Sequence, residues 1–162
     1  MKYTVYIGIG SNLGDRFENC RNAIRLLNNF KDIEVVKVSK WYESKAQSVD
    51  GTSIVSDPSY INGVAKLQTR LFPEQLLSAL LQIEIALGRP HKRKKGAPRT
   101  IDLDLLLYER KIIDTPDLCV PHRAIQKRLF VLVPLCDIAP NVVVPSSGLT
   151  AKELLSRCFV SQ

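Results

Sequence analysis

Two aspartates placed two residues apart, in a stretch that otherwise reads as a strand, constrain this chain most. The stretch runs over residues 96–107, and Pro98 near its start lacks an N–H donor and disfavours helix at the residue before it. β-Branched and apolar residues follow. Because side chains alternate between the faces of a strand, Asp102 and Asp104 are expected on one face, with Cβ atoms roughly 7 Å apart.

This spacing favours a bound cation if the face is covered by the rest of the protein. Like charges repel each other and lose hydration when buried, whereas a divalent metal removes the conflict. Mg²⁺ takes carboxylate oxygens together with substrate phosphates, and a pair of ions can be shared by two acids. The alternative is a solvated strand face with two ordinary acids, because Asp-x-Asp alone is a short and common pattern.

The composition of the 162 residues, 45% hydrophobic and 24% charged, is that of a soluble globular chain. We expect a single domain over residues 1–162. No apolar run is long enough to span a bilayer, and residues 1–7 lack a signal-peptide pattern, so we expect a cytoplasmic protein with no membrane partner. The absence of a Cys-x-x-Cys pair argues against zinc and predicts buried free thiols at Cys20, Cys119, Cys136 and Cys158.

The net charge of +7 favours a negatively charged partner, but it does not separate nucleic acid from a nucleotide or a phosphorylated metabolite. Basic residues cluster at residues 91–95, with Arg99 just before the acidic strand. Such a run is either a solvated loop or a set of cations that grip the same phosphates as the metals.

Glycines at residues 8–14 leave a similar choice. Their place after a strand and before a helix suggests a phosphate cradle. Their spacing, however, matches neither a dinucleotide-binding fingerprint nor a Walker loop. We therefore interpret them as turn residues, with Asn12 or Asp15 available as the helix N-cap.

Hydrophobic periodicity predicts an α+β fold. Helices are expected over residues 15–30 and 73–87, and strands over residues 3–10, 33–42, 60–69 and 100–107. This is the order of a ferredoxin-like βαββαβ antiparallel sheet with both helices on one face. A short strand at 111–114 is expected to pair back through a turn at 109–110, and the C-terminal helices are expected to cover part of the other face. The polar segment 43–59 is predicted to be a functional or mobile loop.

Four motifs resemble the signatures of the hydroxymethyl-dihydropterin pyrophosphokinase family of the folate pathway. They are Gly-Ile-Gly-Ser-Asn-Leu-Gly-Asp at 8–15, Tyr-Ile-Asn at 60–62, Pro-Arg-Thr-Ile-Asp-Leu-Asp at 98–104 and Val-Pro-His at 120–122. The similarity extends in matching order over nearly the whole chain, and the third motif is far more specific than Asp-x-Asp. The resemblance implies transfer of pyrophosphate from ATP to the hydroxymethyl group of a reduced pterin, which leaves AMP.

The resemblance also implies roles for individual residues. Asp102 and Asp104 match the acids that hold two Mg²⁺ ions between the ATP phosphates, and Asp102 also matches an acid that draws on the pterin hydroxyl proton. The positions that match ATP contacts are Glu84, Arg89, Arg99, His122 and Arg128, of which the first two arginines are also expected to act in catalysis. The positions that match the pterin pocket are Ser44, Tyr60, Asn62 and Phe130.

Some of these residues have another interpretation when taken alone. His122 is equally consistent with a core or turn histidine, and plain core packing would explain Tyr60 and Phe130. The chain also departs from the family pattern. Residues 44–47 read Ser-Lys-Ala-Gln where Thr-x-Pro is common, and His91 stands where many members have a second arginine.

Two rival functions remain open. A ferredoxin-like RNA-binding module would suit the positive charge, but the strands lack paired aromatics for base stacking, and two strand aspartates would repel a phosphate backbone. A catalytically inactive scaffold is the other, and retention of both aspartates and Arg99 speaks against it. We therefore expect ATP and a reduced pterin as partners, two Mg²⁺ ions as cofactors, no nucleic acid, and a monomer.

Overall fold

A five-stranded antiparallel sheet lies at the centre of this computed structural model, which describes residues 1–45, 59–88 and 100–160. Its strands are β1 (Tyr3–Ser11), β2 (Ile33–Val38), β3 (Tyr42–Ser44), β4 (Tyr60–Thr69) and β5 (Asp102–Tyr108). The order across the sheet is β2-β4-β1-β5, and β3 pairs with β4 where β2 has ended. The sequence therefore predicted the antiparallel α+β sheet.

Two helices pack on one face of this sheet, α1 (Arg16–Asn29) and α2 (Pro73–Ala86). The Asp15 carboxylate caps α1 by accepting a hydrogen bond from the N–H of Glu18 at 3.2 Å, as expected. The helical spacing of Phe17, Cys20, Ile24 and Leu27 predicts one buried stripe on α1, but Phe17 is 44% exposed, and Ala23 is buried in the core. Within the described ranges, no helix is long and apolar enough to cross a membrane.

Two further helices cover the opposite face, α3 (Leu129–Ile138) and α4 (Ala151–Val160). Their apolar residues form a second core with Tyr6 of β1, Val64 of β4 and Leu106 of β5, which project from the sheet on that side. The prediction that the C-terminal helices cover the other face is confirmed. The short strands in this half of the chain are β6 (Ile113–Asp114), β7 (Cys119–Val120), β8 (Val143–Val144) and β9 (Leu149–Thr150).

The strand predicted over residues 33–42 is interrupted at Ser39. The N–H of Ser39 donates to the carbonyl of Val64 at 2.9 Å, and the N–H of Val64 donates to Ser39 Oγ at 2.8 Å. A side chain thus replaces a backbone carbonyl in the ladder. Trp41 then packs on Gly63, where an added Cβ would lie 2.5 Å from the indole ring, and the chain resumes as β3.

The strand expected at residues 111–114 pairs differently from the prediction. β6 pairs with β7 and not with β5. Glu109 adopts a left-handed conformation, with φ of 48°, and the N–H of Lys111 bonds the carbonyl of Tyr108 at 3.0 Å. This turn carries the chain out of the sheet before a hairpin with β5 can form.

The cysteines are free thiols, but only Cys20 is fully buried, so the prediction of buried thiols is wrong for the other three. Burial raises the pKa of Cys20 to about 12, which keeps it protonated and unreactive at neutral pH.

We expect iodoacetamide at about pH 8 to spare Cys20 in the native protein and to modify it after unfolding. Peptide mass spectrometry would reveal this, and alkylation of native Cys20 as fast as Cys136 would contradict it.

Candidate active site

Side chains of β4 and β5 come together at one end of the sheet, on the face that α3 and α4 cover, with β1 between the two strands. Gly10 of β1 pairs with Asn62 of β4 on one side and with Asp102 of β5 on the other. Directly paired residues in an antiparallel sheet project from the same face. Asn62 and Asp102 therefore share this face, two strand spacings or roughly 10 Å apart.

At this end of the face the strand between them has no side chains, because Gly8 and Gly10 occupy the positions of β1 that project there. The interpretation of Gly8 and Gly10 as turn residues is wrong. Of the three glycines at residues 8–14, only Gly14 has a positive φ, of 71°, which is typical of a turn. An added Cβ at Gly10 would lie 3.4 Å from Asn62 Oδ1 and 3.5 Å from the ring of Tyr60. The result is a trough with backbone as its floor.

One wall of the trough is formed by the ends of β3 and β4. Ser44 pairs with Tyr60, and Asn62 Nδ2 donates a hydrogen bond to Ser44 Oγ at 2.6 Å. Asn62 is 6% exposed, so this bond fixes its amide with Oδ1 towards the bare strand. An amide held this way presents an acceptor, beside a second N–H, to a ligand in the trough.

The other wall carries the two acids on β5. The side chain of Asp104 is 45% exposed, and Asp102 is half-buried. Between them, the N–H of Leu103 donates to Glu84 Oε2 at 2.9 Å. Glu84 belongs to α2, on the other face of the sheet, and is 3% exposed. It therefore fixes the backbone between the aspartates from behind.

His122 lies beside the acids because its N–H donates to the carbonyl of Leu106 in β5 at 3.0 Å. The N–H of Ala124 donates to Nδ1 at 3.2 Å, so the neutral ring carries its proton on Nε2, 4.0 Å from Asp104 Oδ1. Burial lowers the pKa of His122, and the positive charge of Arg128 lowers it further. The negative charge of Asp102 acts in the opposite direction. The side chain is still 31% exposed, which argues against a core histidine.

Arg128 and Phe130 stand together at the start of α3. Arg128 is the residue before the helix, and its guanidinium carbon lies 5.4 Å from the centroid of the Phe130 ring, in cation–π range. In the part of the chain that the structure describes, Phe130 and Tyr60 are half-buried and belong to neither hydrophobic core. This observation disfavours plain core packing for both aromatics.

Several predicted features lie outside the described residues. They are Arg89, Arg99, the basic run at 91–95 with His91, the Pro98 end of the acidic motif and residues 46–58.

The protein ligands alone do not complete a metal site in the described residues, where no three His, Cys, Asp or Glu side chains converge. The oxygen donors of Asp102 and Asp104 nonetheless fit Mg²⁺, which is commonly held by one or two carboxylates, with water and substrate phosphates completing its shell. These residues suit a metal that arrives with a phosphorylated ligand.

Arg16 belongs to the site's frame, and sequence reasoning missed it. Its Nη1 donates to the carbonyl of Ser59 at 2.8 Å and to Ser59 Oγ at 2.7 Å, and its Nη2 lies 3.3 Å from Glu43 Oε2. Arg16 thus ties β3 to the residue before β4, beside Ser44 and Tyr60. An arginine in the first turn of a helix gives no sequence signal for such a contact.

The fold and the site define a class of protein: an α+β sheet with paired carboxylates on one side of a backbone-floored trough and an amide beside the ring of Tyr60 on the other. A neutral imidazole lies beside the acids, and the guanidinium whose charge acts on that imidazole lies over the ring of Phe130. This arrangement suits a ligand pair with phosphates at one end and a flat, hydrogen-bonding ring at the other.

Comparison with known proteins identifies the family. The sequence model of 7,8-dihydro-6-hydroxymethylpterin-pyrophosphokinase matches residues 6–140. The chain is 42% identical over 142 residues to the 2-amino-4-hydroxy-6-hydroxymethyldihydropteridine pyrophosphokinase of Aquifex aeolicus, which covers 88% of this chain and 84% of that protein. The chain belongs to this pyrophosphokinase family.

Longer proteins contain a similar region. The folic acid synthesis protein fol1 of Pneumocystis carinii is 45% identical over 146 residues, 90% of this chain but 19% of that protein. A crystal structure of Plasmodium falciparum HPPK-DHPS with pteroate matches 99% of this chain and 43% of that one, with a TM-score of 0.75 and 13% identity. This chain thus spans about a fifth of the first and under half of the second. At 13% identity, the structural likeness supports the fold alone.

Proposed function

We propose that this chain transfers pyrophosphate from ATP to the hydroxymethyl group of 6-hydroxymethyl-7,8-dihydropterin, giving AMP and the pterin diphosphate in folate biosynthesis. The observation that carries the proposal is the trough, in which Asp102 lies opposite Asn62 across Gly10 and Asp104 lies beside Gly8 on the same face. Family membership and the names of the relatives support the same activity.

We assign two Mg²⁺ ions to Asp102 and Asp104. When bound, they would neutralise charge on the triphosphate and help align it. The support is the donor set itself, since the carboxylates share one face and are open enough to accept a ligand. The family motif predicts that Glu84 contacts ATP, but Glu84 is 3% exposed on the other face of the sheet, and its bond to Leu103 supports a positioning role for β5.

The cationic and imidazole side chains would bind the phosphates of ATP. The Nε2–H of neutral His122 can donate to a phosphate oxygen, and the guanidinium of Arg128 can pair with two. Arg89 and Arg99 are assigned the same role from the family motif. Fixed donors of this kind stabilise the negative charge that grows on the departing AMP.

Asp102 is the acid nearer the pterin side in this proposal. It lies opposite Asn62 across Gly10, whereas Asp104 lies opposite Val64 across Gly8. The pterin hydroxyl oxygen bonds to the β-phosphorus of ATP, while the bond from that phosphorus to the oxygen that bridges it to the α-phosphorus breaks. The bond's electrons leave with AMP, and the carboxylate of Asp102 would draw on the hydroxyl proton.

The amide wall would bind the pterin ring. Asn62 offers an acceptor and a donor to the ring edge while Ser44 fixes its orientation. Tyr60 and Phe130 supply aromatic surfaces that suit a flat ring.

We also infer a ferredoxin-like arrangement for the sheet. The strand order β2-β4-β1-β5, with helices after β1 and β4, supports it. A single domain over residues 1–162, a monomeric state, a cytoplasmic location and the absence of nucleic-acid binding remain predictions.

A coupled assay of AMP release tests the proposed function. We expect AMP to form from ATP only when both the dihydropterin and magnesium are present, with one pterin diphosphate made for each AMP. ADP as the product, or no turnover alongside salt-sensitive RNA binding, would contradict the proposal.

Replacing Phe130 with alanine tests the pterin wall. Loss of a stacking ring should raise the Kd for the dihydropterin about tenfold, a cost of about 1.4 kcal/mol, and change the Kd for an ATP analogue much less. Titration calorimetry measures both constants. Phe159→Ala on α4, where the ring is 64% exposed, is the matched control. Equal losses for the two ligands in Phe130→Ala would contradict a stacking role.

A further inference from the structure

Edge strand β3 is attached to α3, in addition to its ladder with β4 and the contact of Glu43 with Arg16. Asp137, in the last turn of α3, accepts a hydrogen bond from the Tyr42 hydroxyl at 2.6 Å and another from the N–H of Lys40 at 3.3 Å. A phenol–carboxylate bond of this length is of the strong, charge-assisted kind. It also raises the pKa of Tyr42, so the hydroxyl keeps its proton at neutral pH.

The helix that carries Asp137 also carries Phe130. Seven residues separate them, which is close to two helical turns, so both project from the same side of α3 about 10 Å apart along its axis. On the strand, Tyr42 and Ser44 share one face because they are two residues apart. The two elements are therefore joined at Asp137 and Tyr42, with Phe130 about two turns along α3 and Ser44 two residues along β3 from that bond.

This attachment matters because the other contacts of β3, its ladder with β4 and the Glu43–Arg16 pair, do not join it to α3. It is three residues long and pairs only with β4 among the described strands. Without the bond to α3, its free edge could shift relative to the helix while the ladder to β4 stayed intact. A flat ligand between two walls loses contacts when their separation changes by a fraction of an ångström.

We propose that Tyr42 and Asp137 are positioning residues for the pterin, which set the separation between Phe130 on α3 and the Ser44–Asn62 pair on β3 and β4. The pair acts through these residues and does not itself contact the ligand. This inference rests on the proposed function, and it adds two residues to the determinants of pterin affinity.

The test uses Tyr42→Phe, which removes one hydroxyl and keeps the ring and the ladder. We expect the KM for the dihydropterin to rise about fivefold, with the KM for ATP and kcat within about twofold of wild type. The melting temperature should change little, because Asp137 is exposed and its carboxylate can be solvated once the bond is lost. Tyr3→Phe, in the aromatic cluster at the start of β1, is the matched control and should leave both KM values unchanged.

A double-mutant cycle shows whether the two residues act through one bond. Asp137→Ala should raise the pterin KM at least as much as Tyr42→Phe, and the double variant should be no worse than Asp137→Ala alone. Asp137→Asn keeps an acceptor oxygen and should recover part of the loss. Unchanged pterin KM in both single variants, or a matching rise in the KM for ATP, would overturn the proposal. AMP release by the wild-type chain separately reports whether the proposed function holds.

Discussion

Asp104→Asn is expected to reduce kcat by about three orders of magnitude while the Kd for the dihydropterin changes less than about threefold. The amide nearly preserves the shape of the side chain but removes the charge that would hold metal against the triphosphate. The pterin wall, formed by Asn62 and Ser44, lies across the trough and should be little affected. Single-turnover kinetics and a separate pterin titration measure the two effects.

A matched control is available on the same chain. Asp114→Asn removes an aspartate on β6 whose side chain is 81% exposed, and it should leave kcat unchanged. Asp102→Asn should also abolish most turnover, but it should weaken the pterin more than Asp104→Asn does, because Asp102 lies opposite Asn62. Near-normal kcat in Asp104→Asn would remove the metal role from this strand.

Gly63→Ala is expected to lower the free energy of unfolding by about 2–3 kcal/mol. The new Cβ would lie 2.5 Å from two atoms of the Trp41 ring and 3.2 Å from Ser39 Oγ, so the indole must move. Ser39 Oγ is also the acceptor that completes the ladder at Val64. The strain therefore falls where the edge of the sheet passes from β2 to β3.

Urea unfolding followed by fluorescence measures this cost, and Trp41 is the chain's one tryptophan. Gly8→Ala is a suitable comparison in the same sheet. The three atoms nearest to its Cβ would all belong to the Leu106 side chain, at 3.4 Å or more, so the loss should be under about 1 kcal/mol. A Gly63→Ala protein as stable as wild type would show that Trp41 moves aside without cost.

The main elements of the fold could be predicted because local patterns determine them. The period of apolar residues identifies α1, α2 and the long strands, and Asp15, as a favoured N-cap residue, predicts where α1 begins. The break at Ser39 could not be predicted, because a hydroxyl that replaces a backbone carbonyl leaves no trace in hydrophobic periodicity. The turn at Glu109 was missed for a similar reason, since a positive φ at a glutamate is uncommon.

Part of the candidate site could likewise be predicted from the sequence, and part depends on how distant segments pack together. Strand alternation alone places Asp102 and Asp104 together, whereas the position of Asn62 opposite Asp102 depends on pairing register through Gly10. The pairing register between strands that are distant in sequence cannot be predicted from the local pattern of residues in either strand. Tyr42 and Asp137 are 95 residues apart in sequence, and only the packing of α3 beside β3 brings them into contact.

The most direct test of the account is a crystal structure of this chain with magnesium, the dihydropterin and a non-hydrolysable ATP analogue. We predict metal ions within about 2.1 Å of carboxylate oxygens of Asp102 and Asp104, bridging to phosphate oxygens, with the pterin ring between Asn62 and Phe130. A complex in which the two carboxylates point apart, with no ion between them and the phosphates, would contradict it.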